Sequence, residues 1–351
     1  MSFNLKTPAI ALISALALLT TTACDSAIYD DEGDCSVTYR VKLSYTKNIK
    51  EADAFPAEVT HVSLYAFDAE GHLAWSTTET VDRLRSDDYR INITCAPGTY
   101  DIVAWCGGTS TETDAAGWTL AGGDRPSSKS DLLCTLSARP DGDGVVSDTD
   151  IHRLYHGTLD AAVLPDTPGI HDYAIDLTKD TNMVRVILQH ADGEPVNPEW
   201  FTFRITDANT ALDHTNAVAS PVKVTYRPWA VTTAATELPD AGSSEGRAPI
   251  SQISSVIAEM TTSRLVTTNR PTLEINCTEP GNEHLVARLD LISYFLMIKG
   301  SAKRHYSDQE FLDRQDDYSM MLILDDNNRW NLNLGLYINS WRIVLQDTDL
   351  Q

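Results

Sequence analysis

The sequence predicts an all-β chain built as two successive β-domains. Three observations predict it. Apolar and polar residues alternate with the period of a half-buried strand in one segment after another, turns rich in Gly, Pro, Asp and Asn separate these segments, and the alternation stops and restarts near residue 180. A length of 351 residues suits about two domains, and a hydrophobic content of 42% is too high for a disordered chain.

Taken in order, Val37, Tyr39, Val41, Leu43 and Tyr45 alternate with Thr38, Arg40, Lys42 and Ser44, which predicts the first strand. Val62 to Phe67 reads as a strand buried on both faces and ended by Asp68-Ala69-Glu70-Gly71. Tyr89, Ile91, Ile93 and Cys95 form a further alternating segment, and the turn Ala96-Pro97-Gly98-Thr99 returns the chain through Tyr100 to Trp105. From Gly107 to Ser147 the composition shifts to Gly, Ser, Thr and Asp, with apolar islands at Trp118 to Leu120 and Leu132 to Leu136. Long decorated loops are expected there. These segments make a first, antiparallel domain over residues 37–178.

The second domain, residues 179–351, opens with Val184, Val186 and Leu188, followed by Phe201, Phe203 and Ile205 and by Val222, Val224 and Tyr226. Residues 236–249 read as a polar loop, after which Leu273, Ile275 and Cys277 resume the alternation. Ser307-Asp308-Gln309-Glu310 is a capping box that predicts one short helix. Trp330, Leu332, Leu334, Leu336 and Ile338, then Trp341, Ile343 and Leu345, predict two closing strands. Trp341 is expected to be a core residue of the second domain.

Charge narrows the function. The chain has 27 Lys and Arg against 50 Asp and Glu, a net charge of -23, which excludes nucleic acid as a partner of the chain as a whole. At the N-terminus, residues 8–19 form an apolar core preceded by Lys6, and Thr21-Thr22-Ala23-Cys24 follows. The segment has the shape of a secretory signal over residues 1–23, too short to span a membrane as a helix. Small residues before a cysteine resemble the lipobox of bacterial lipoproteins, although Thr21 stands where Leu is usual. Cys24 is therefore expected to be acylated and to tether the protein through a linker, residues 24–36.

Five cysteines follow Cys24. Cys95 and Cys106 lie at opposite ends of a predicted hairpin strand, about 20 Å apart at ~3.3 Å per residue, and cannot pair. Cys35, just before the first strand, is free to reach either Cys106 or Cys134. No C-x-x-C occurs, so a zinc ribbon or thioredoxin-like site is unsupported.

No catalytic or metal-binding set and no cofactor motif is legible. Gly242-Ser243-Ser244-Glu245-Gly246 matches G-x-S-x-G, but Pro239, Asp240 and Pro249 deny it the strand and helix that a nucleophile elbow needs. Asp141-Gly142-Asp143-Gly144 lacks the Gly and the closing Glu of a calcium loop and reads as a solvated turn. His152 and His156 flank no general-base Glu and are expected to pack. Of seven tryptophans, Trp118, in a Gly-rich loop, is the candidate for surface contact, while buried core is the commoner fate of the others.

Cys24 to Asp31, the strand Val37 to Tyr45 running into Asn48 and Ala52-Asp53-Ala54-Phe55, Leu64-Tyr65-Ala66-Phe67-Asp68, and Pro97-Gly98-Thr99-Tyr100 leading to Ala104-Trp105 form an ordered series. Leu154-Tyr155-His156-Gly157, Thr181-Asn182, Tyr226-Arg227-Pro228 and Asn339-Ser340-Trp341-Arg342-Ile343-Val344 continue it. The series resembles the FimB-type anchor subunits of Bacteroidales (type V) fimbriae over nearly all the mature chain. That resemblance implies two tandem transthyretin-like β-sandwiches, an outer-membrane lipoprotein at the cell surface, and fimbrial shaft subunits as partners. It also implies a role in anchoring a shaft and limiting its length through strand complementation. The alternative is a surface glycan-binding lipoprotein, marked by exposed coplanar aromatics on the loops at 107–147 or 236–249.

Overall fold

The computed structural model describes residues 36–343 apart from 81–88, 108–116, 122–124, 221, 238–251 and 301–302. The first half contains β1 (Val37–Ser44), a one-turn helix α1 (Phe55–Glu58), β2 (His61–Phe67), β3 (Leu73–Thr80), β4 (Ile91–Ile93) and β5 (Gly98–Gly107). After these come β6 (Trp118–Leu120), β7 (Cys134–Leu136), β8 (Arg139–Asp141), β9 (Gly144–Ser147), β10 (Leu154–Leu164), β11 (Gly169–Asp176) and β12 (Thr178–Lys179). The second half contains β13 (Thr181–His190), β14 (Phe201–Asp207), β15 (Ala211–Leu212), β16 (Val224–Tyr226), β17 (Ala230–Glu237), β18 (Gln252–Ser263), β19 (Thr272–Cys277) and β20 (His284–Asp290). It closes with α2 (Leu291–Met297), α3 (Asp308–Arg314), β21 (Asp317–Leu324), β22 (Leu336–Ile338) and β23 (Trp341–Arg342).

The fold is all-β, with two sandwiches. In the first, the three-stranded sheet β11-β1-β4 faces the five-stranded sheet β12-β10-β5-β2-β3. Tyr39, Val41 and Leu43 of β1 meet Val62, Leu64 and Ala66 of β2 and Ile102 and Ala104 of β5. Gly157 lets the sheets close: a Cβ there would stand 2.5 Å from Ile175 Cγ2, a separation no side chain tolerates. In the second sandwich, β17-β18-β13-β21-β22-β23 faces β20-β19-β14-β16-β9-β8 across Val186, Leu188, Met320, Phe203 and Ile275.

Burial of β2 on both faces has a tertiary cause. The face turned away from β1 carries Tyr65 and Phe67, with Val103 and Trp105 of β5, and these join the same core as Trp118, Leu132, Cys134 and Leu136 and the second sandwich. The cover comes from the segment that sequence composition reads as long loops. Within it, β7 pairs with β6 on one side and β15 on the other in a small sheet, and β9 pairs parallel to β16 while β8 pairs with β9. Three- and four-residue strands carry too little sequence for a period to show, and two of their partners, β15 and β16, lie far along the chain. Although residue 178 precedes the restart of the strand pattern, residues 139–147 thus belong to a sheet of the second half.

Two further differences concern chain direction and helices. The first strand of each half runs parallel to the last long strand of that half, a pairing that requires a long crossover and leaves no local sequence mark. Helix α3 starts where the capping box predicts, with Glu310 N–H donating to Ser307 Oγ at 3.0 Å, but Glu310 carries its carboxylate to Arg314 instead of back to the cap. Helix α2 escapes a sequence reading because LISYFLM is short and carries Ser293 as its single strongly polar residue, too little to set a period.

The C-terminal reading needs correction. Trp330, Leu332 and Leu334 form no strand: Asn331 Oδ1 accepts from Asn333 N and Leu334 N at 3.0 and 3.3 Å, folding the chain into a turn. Only Leu336 and Ile338 continue the alternation, in β22. Asn339 and Ser340 then adopt φ of 46° and 70°, the left-handed pair of a tight hairpin, and bring Trp341 onto the sheet edge. There Trp341 is 69% exposed, so it is no core residue; Ile343 is buried, and Leu345 lies outside the described residues.

Candidate functional site: a self-filled sheet and the seam behind it

β1 is the central strand of its sheet. It pairs parallel with β11 from Val37↔Gly169 to Ser44↔Asp176 and antiparallel with β4 from Tyr39↔Ile93 to Val41↔Ile91. Without β1, β11 and β4 would have no common neighbour in that sheet. Tyr39, Val41, Leu43 and Tyr45 point into the core, each worth about 1.5–3 kcal/mol if fully buried. On the opposite face, Arg40 Nε and Nη2 each donate to Asp172 at 2.8 Å, and these charged hydrogen bonds hold the Asp172 carboxyl below the usual range. The exit of the strand is pinned by Asp176, which accepts from Ser44 Oγ, Thr46 N and Thr46 Oγ1 at 3.1, 2.8 and 2.7 Å.

Behind this sheet, a polar seam ties the first half to the second. Lys179, only 9% exposed, donates to Glu58 Oε2 at 3.0 Å and to Asp316, while Tyr155 OH donates to the same Glu58 oxygen at 2.7 Å. Tyr306 OH and Lys303 Nζ both reach Glu51, and Arg314 Nη1 donates to Thr46 O at 3.2 Å. Asp180 is fully buried; burial pushes its carboxyl up to about 7 even though Arg264 stands 3.7 Å away and Asn216 Nδ2 donates to it at 2.9 Å. His156 packs at 4.5 Å on Trp105 and hydrogen-bonds His214 O at 3.1 Å, and burial pushes it down to about 3. It is a neutral packing residue, as its sequence context predicts.

The residues singled out by sequence separate into three groups. Cys24 and Cys35 lie outside the described residues. Cys106 and Cys134 are free thiols, the first in the core of the first sandwich and the second in the core shared with the second half, and burial pushes both thiols up. Their presence in separate cores keeps them from pairing with each other. The expectation of surface contact at Trp118 is overturned: it is 1% exposed, and its Nε1 donates to His152 O at 3.1 Å. A Gly-rich neighbourhood hides the partner sheet that buries it. Asp141 to Gly144 is the hairpin turn between β8 and β9, with Arg227 Nη2 donating to Asp141 at 3.0 Å.

The sequence profile described as Mfa2, fimbrillin-A associated anchor proteins Mfa1 and Mfa2, matches residues 31–347. The chain belongs to this family of fimbrial anchor proteins. Family membership brings a cell-surface, fimbrial location. A candidate adhesin from Bacteroides thetaiotaomicron is similar in structure, with 28% identity, a TM-score of 0.73, and coverage of 90% of this chain and 100% of the other. A candidate polysaccharide-binding protein from the same organism has 23% identity and a TM-score of 0.71, with coverage of 89% and 99%. The fimbrial anchor protein Mfa2 from Porphyromonas gingivalis shares the fold at 20% identity and a TM-score of 0.62, with coverage of 89% and 100%. No curated protein sequence matches the chain.

What sequence reasoning missed in this family member is the seam. Lys179, Asp180, Glu58 and Asp316 are ordinary charged residues in sequence, and only the burial of Lys179 and Asp180 and the pairing of Lys179 with Glu58 and Asp316 mark them. Lys179-Asp180-Thr181-Asn182 did carry a hint, four polar residues in a row where two strand patterns meet.

Proposed function

We propose that the chain is the lipid-tethered anchor of a surface fimbria, attached to the outer membrane through Cys24 and terminating a shaft assembled by strand complementation. The observation that carries this reading is the central place of β1. A subunit that accepts a donated strand must offer an open slot with an apolar floor and unpaired backbone groups, since those are what an added strand gains. Here the corresponding slot, between β11 and β4, is filled by the chain's own first strand. A subunit filled in this way accepts no further subunit at that slot, which gives a physical basis for limiting length.

Retention of β1 also preserves the connection between Cys24 and the folded body. Arg40 and Lys42, where a trypsin-like protease would cut, lie within a paired strand, and cleavage there requires local opening. Contact with a shaft subunit then falls to a free sheet edge. Among the described residues, the longest such edge in the second half is β17, eight residues with no charge before Glu237 and paired to β18 alone.

Two measurements test this reading. Cys24→Ala should move the protein from the outer-membrane fraction to the soluble fraction; persistence with membranes at high salt would sink the lipoprotein part. Cells lacking the protein should shed fimbriae or carry longer ones by electron microscopy, and an unchanged length distribution would sink the anchoring and length-limiting part.

A further inference from the structure

We propose that the outer face of the sheet β20-β19-β14-β16 is a binding site for an acidic saccharide, with cationic side chains receiving its carboxylate or sulfate and a threonine row receiving its hydroxyls. The register builds two adjacent rows. Arg288 stands opposite Glu274, and Glu274 opposite Arg204, so that one carboxylate bridges two guanidinium groups across three strands. One step along, Thr272 stands opposite Thr206, and Thr206 opposite Thr225. Both rows line a cavity of about 540 Å³, within the range of small-molecule sites.

Lys223 and Arg270, each just ahead of a strand, complete the rim, so four cationic side chains meet two carboxyl groups, those of Glu274 and Asp207. This local excess of positive charge stands out in a chain whose net charge is -23. Glu274 is already engaged by the two arginines, which leaves Lys223 and Arg270 as the cations for an incoming anion. Asp207, next along β14 from Thr206, is 7% exposed with Asn269 Nδ2 donating to its Oδ1 at 2.9 Å, and its Oδ2 is sealed from the cavity, so it offers an incoming group nothing. None of the described lining residues is aromatic, which disfavours a nucleobase, whereas clustered hydroxyl, amide and cationic groups suit a hydroxylated anion.

The proposal is independent of the anchoring role, since it concerns the second sandwich and needs no shaft. The test uses the full mature chain and calorimetric titration with four probes: a sulfated heparin oligosaccharide, an oligogalacturonate, a neutral dextran of matched length, and inorganic sulfate. At least one acidic saccharide should bind, dextran should not, and inorganic sulfate should bind at least tenfold more weakly. Lys223→Gln with Arg270→Gln should weaken the saccharide at least tenfold, and Thr206→Val should weaken it several-fold, while Arg153→Gln, remote from the cavity, should leave it unchanged. Circular dichroism should show each variant folded. Binding of neither acidic probe, equal binding of dextran or inorganic sulfate, or full affinity in the folded Lys223/Arg270 variant would overturn the proposal.

Discussion

β1 and β13 occupy equivalent places in their sheets. Each is the first strand of its half, each runs parallel to the last long strand of that half, and each is tied to it by an arginine and an aspartate 132 positions apart, Arg40 with Asp172 and Arg185 with Asp317. Their support differs. The antiparallel neighbour of β1 is the three-residue β4, whereas β13 pairs with β18 from Thr181↔Ser263 to Gln189↔Ser255 at the heart of a six-stranded sheet. Arg185 also reaches Glu259 at 2.9 Å, a second carboxylate. The same local pattern therefore meets unequal support: the strand joined to the N-terminal linker is the less supported of the two and is expected to open at lower cost than β13.

The largest effects should come from the two cores. Leu43→Ala and Leu188→Ala each remove a buried leucine and should cost about 2–5 kcal/mol. Amide hydrogen exchange separates them: Leu43→Ala should speed exchange in β1 and β4 with β13 unaffected, and Leu188→Ala should speed it throughout the second half. Uniform acceleration in both variants would break the contrast.

Next comes the junction between the halves. Asp180 holds its proton to about pH 7 when folded, whereas an exposed aspartate releases it near pH 4. The folded state thus binds the extra proton over this window, and stability is present below it and lost as pH rises through it. Asp180→Asn should raise thermal stability at pH 8, by about 4 kcal/mol at most, and change little at pH 4. His156 acts in the opposite direction: its folded value of about 3 makes stability fall as pH drops from about 6.5, so acid unfolding should be shallower in His156→Gln. Equal melting curves for Asp180→Asn and wild type at pH 8 would show that Arg264 fully offsets the buried charge.

The surface ties should matter less. Arg185→Met should lower the melting temperature by about 2 °C, as suits a partly exposed pair reinforced by a second carboxylate, and Arg40→Met should lower it by less. Smallest of all is Trp341→Ala, expected to shift stability by less than about 0.5 kcal/mol because the ring lies in solvent. A core-sized loss would mean that residues beyond 343 fold over it; an unchanged melting temperature with lost capture of shaft subunits would make the exposed hairpin a partner contact.

Strand existence was legible from residues because a half-buried strand writes its burial into sequence at period two, as Tyr39, Val41 and Leu43 do. The ordered series of short motifs was legible too, and with it the family. Hidden from sequence were the features that depend on a distant partner. Trp118 is buried because β7 and the second half cover it, and Trp341 is exposed because two left-handed residues turn it onto an edge. The parallel direction of β11 against β1, the crossing of residues 139–147 into the second half, and the burial of Lys179 and Asp180 belong to the same class. Period and turn chemistry act within a few residues and are written locally, whereas burial and pairing across tens of positions or more than a hundred arise only when the chain has closed on itself.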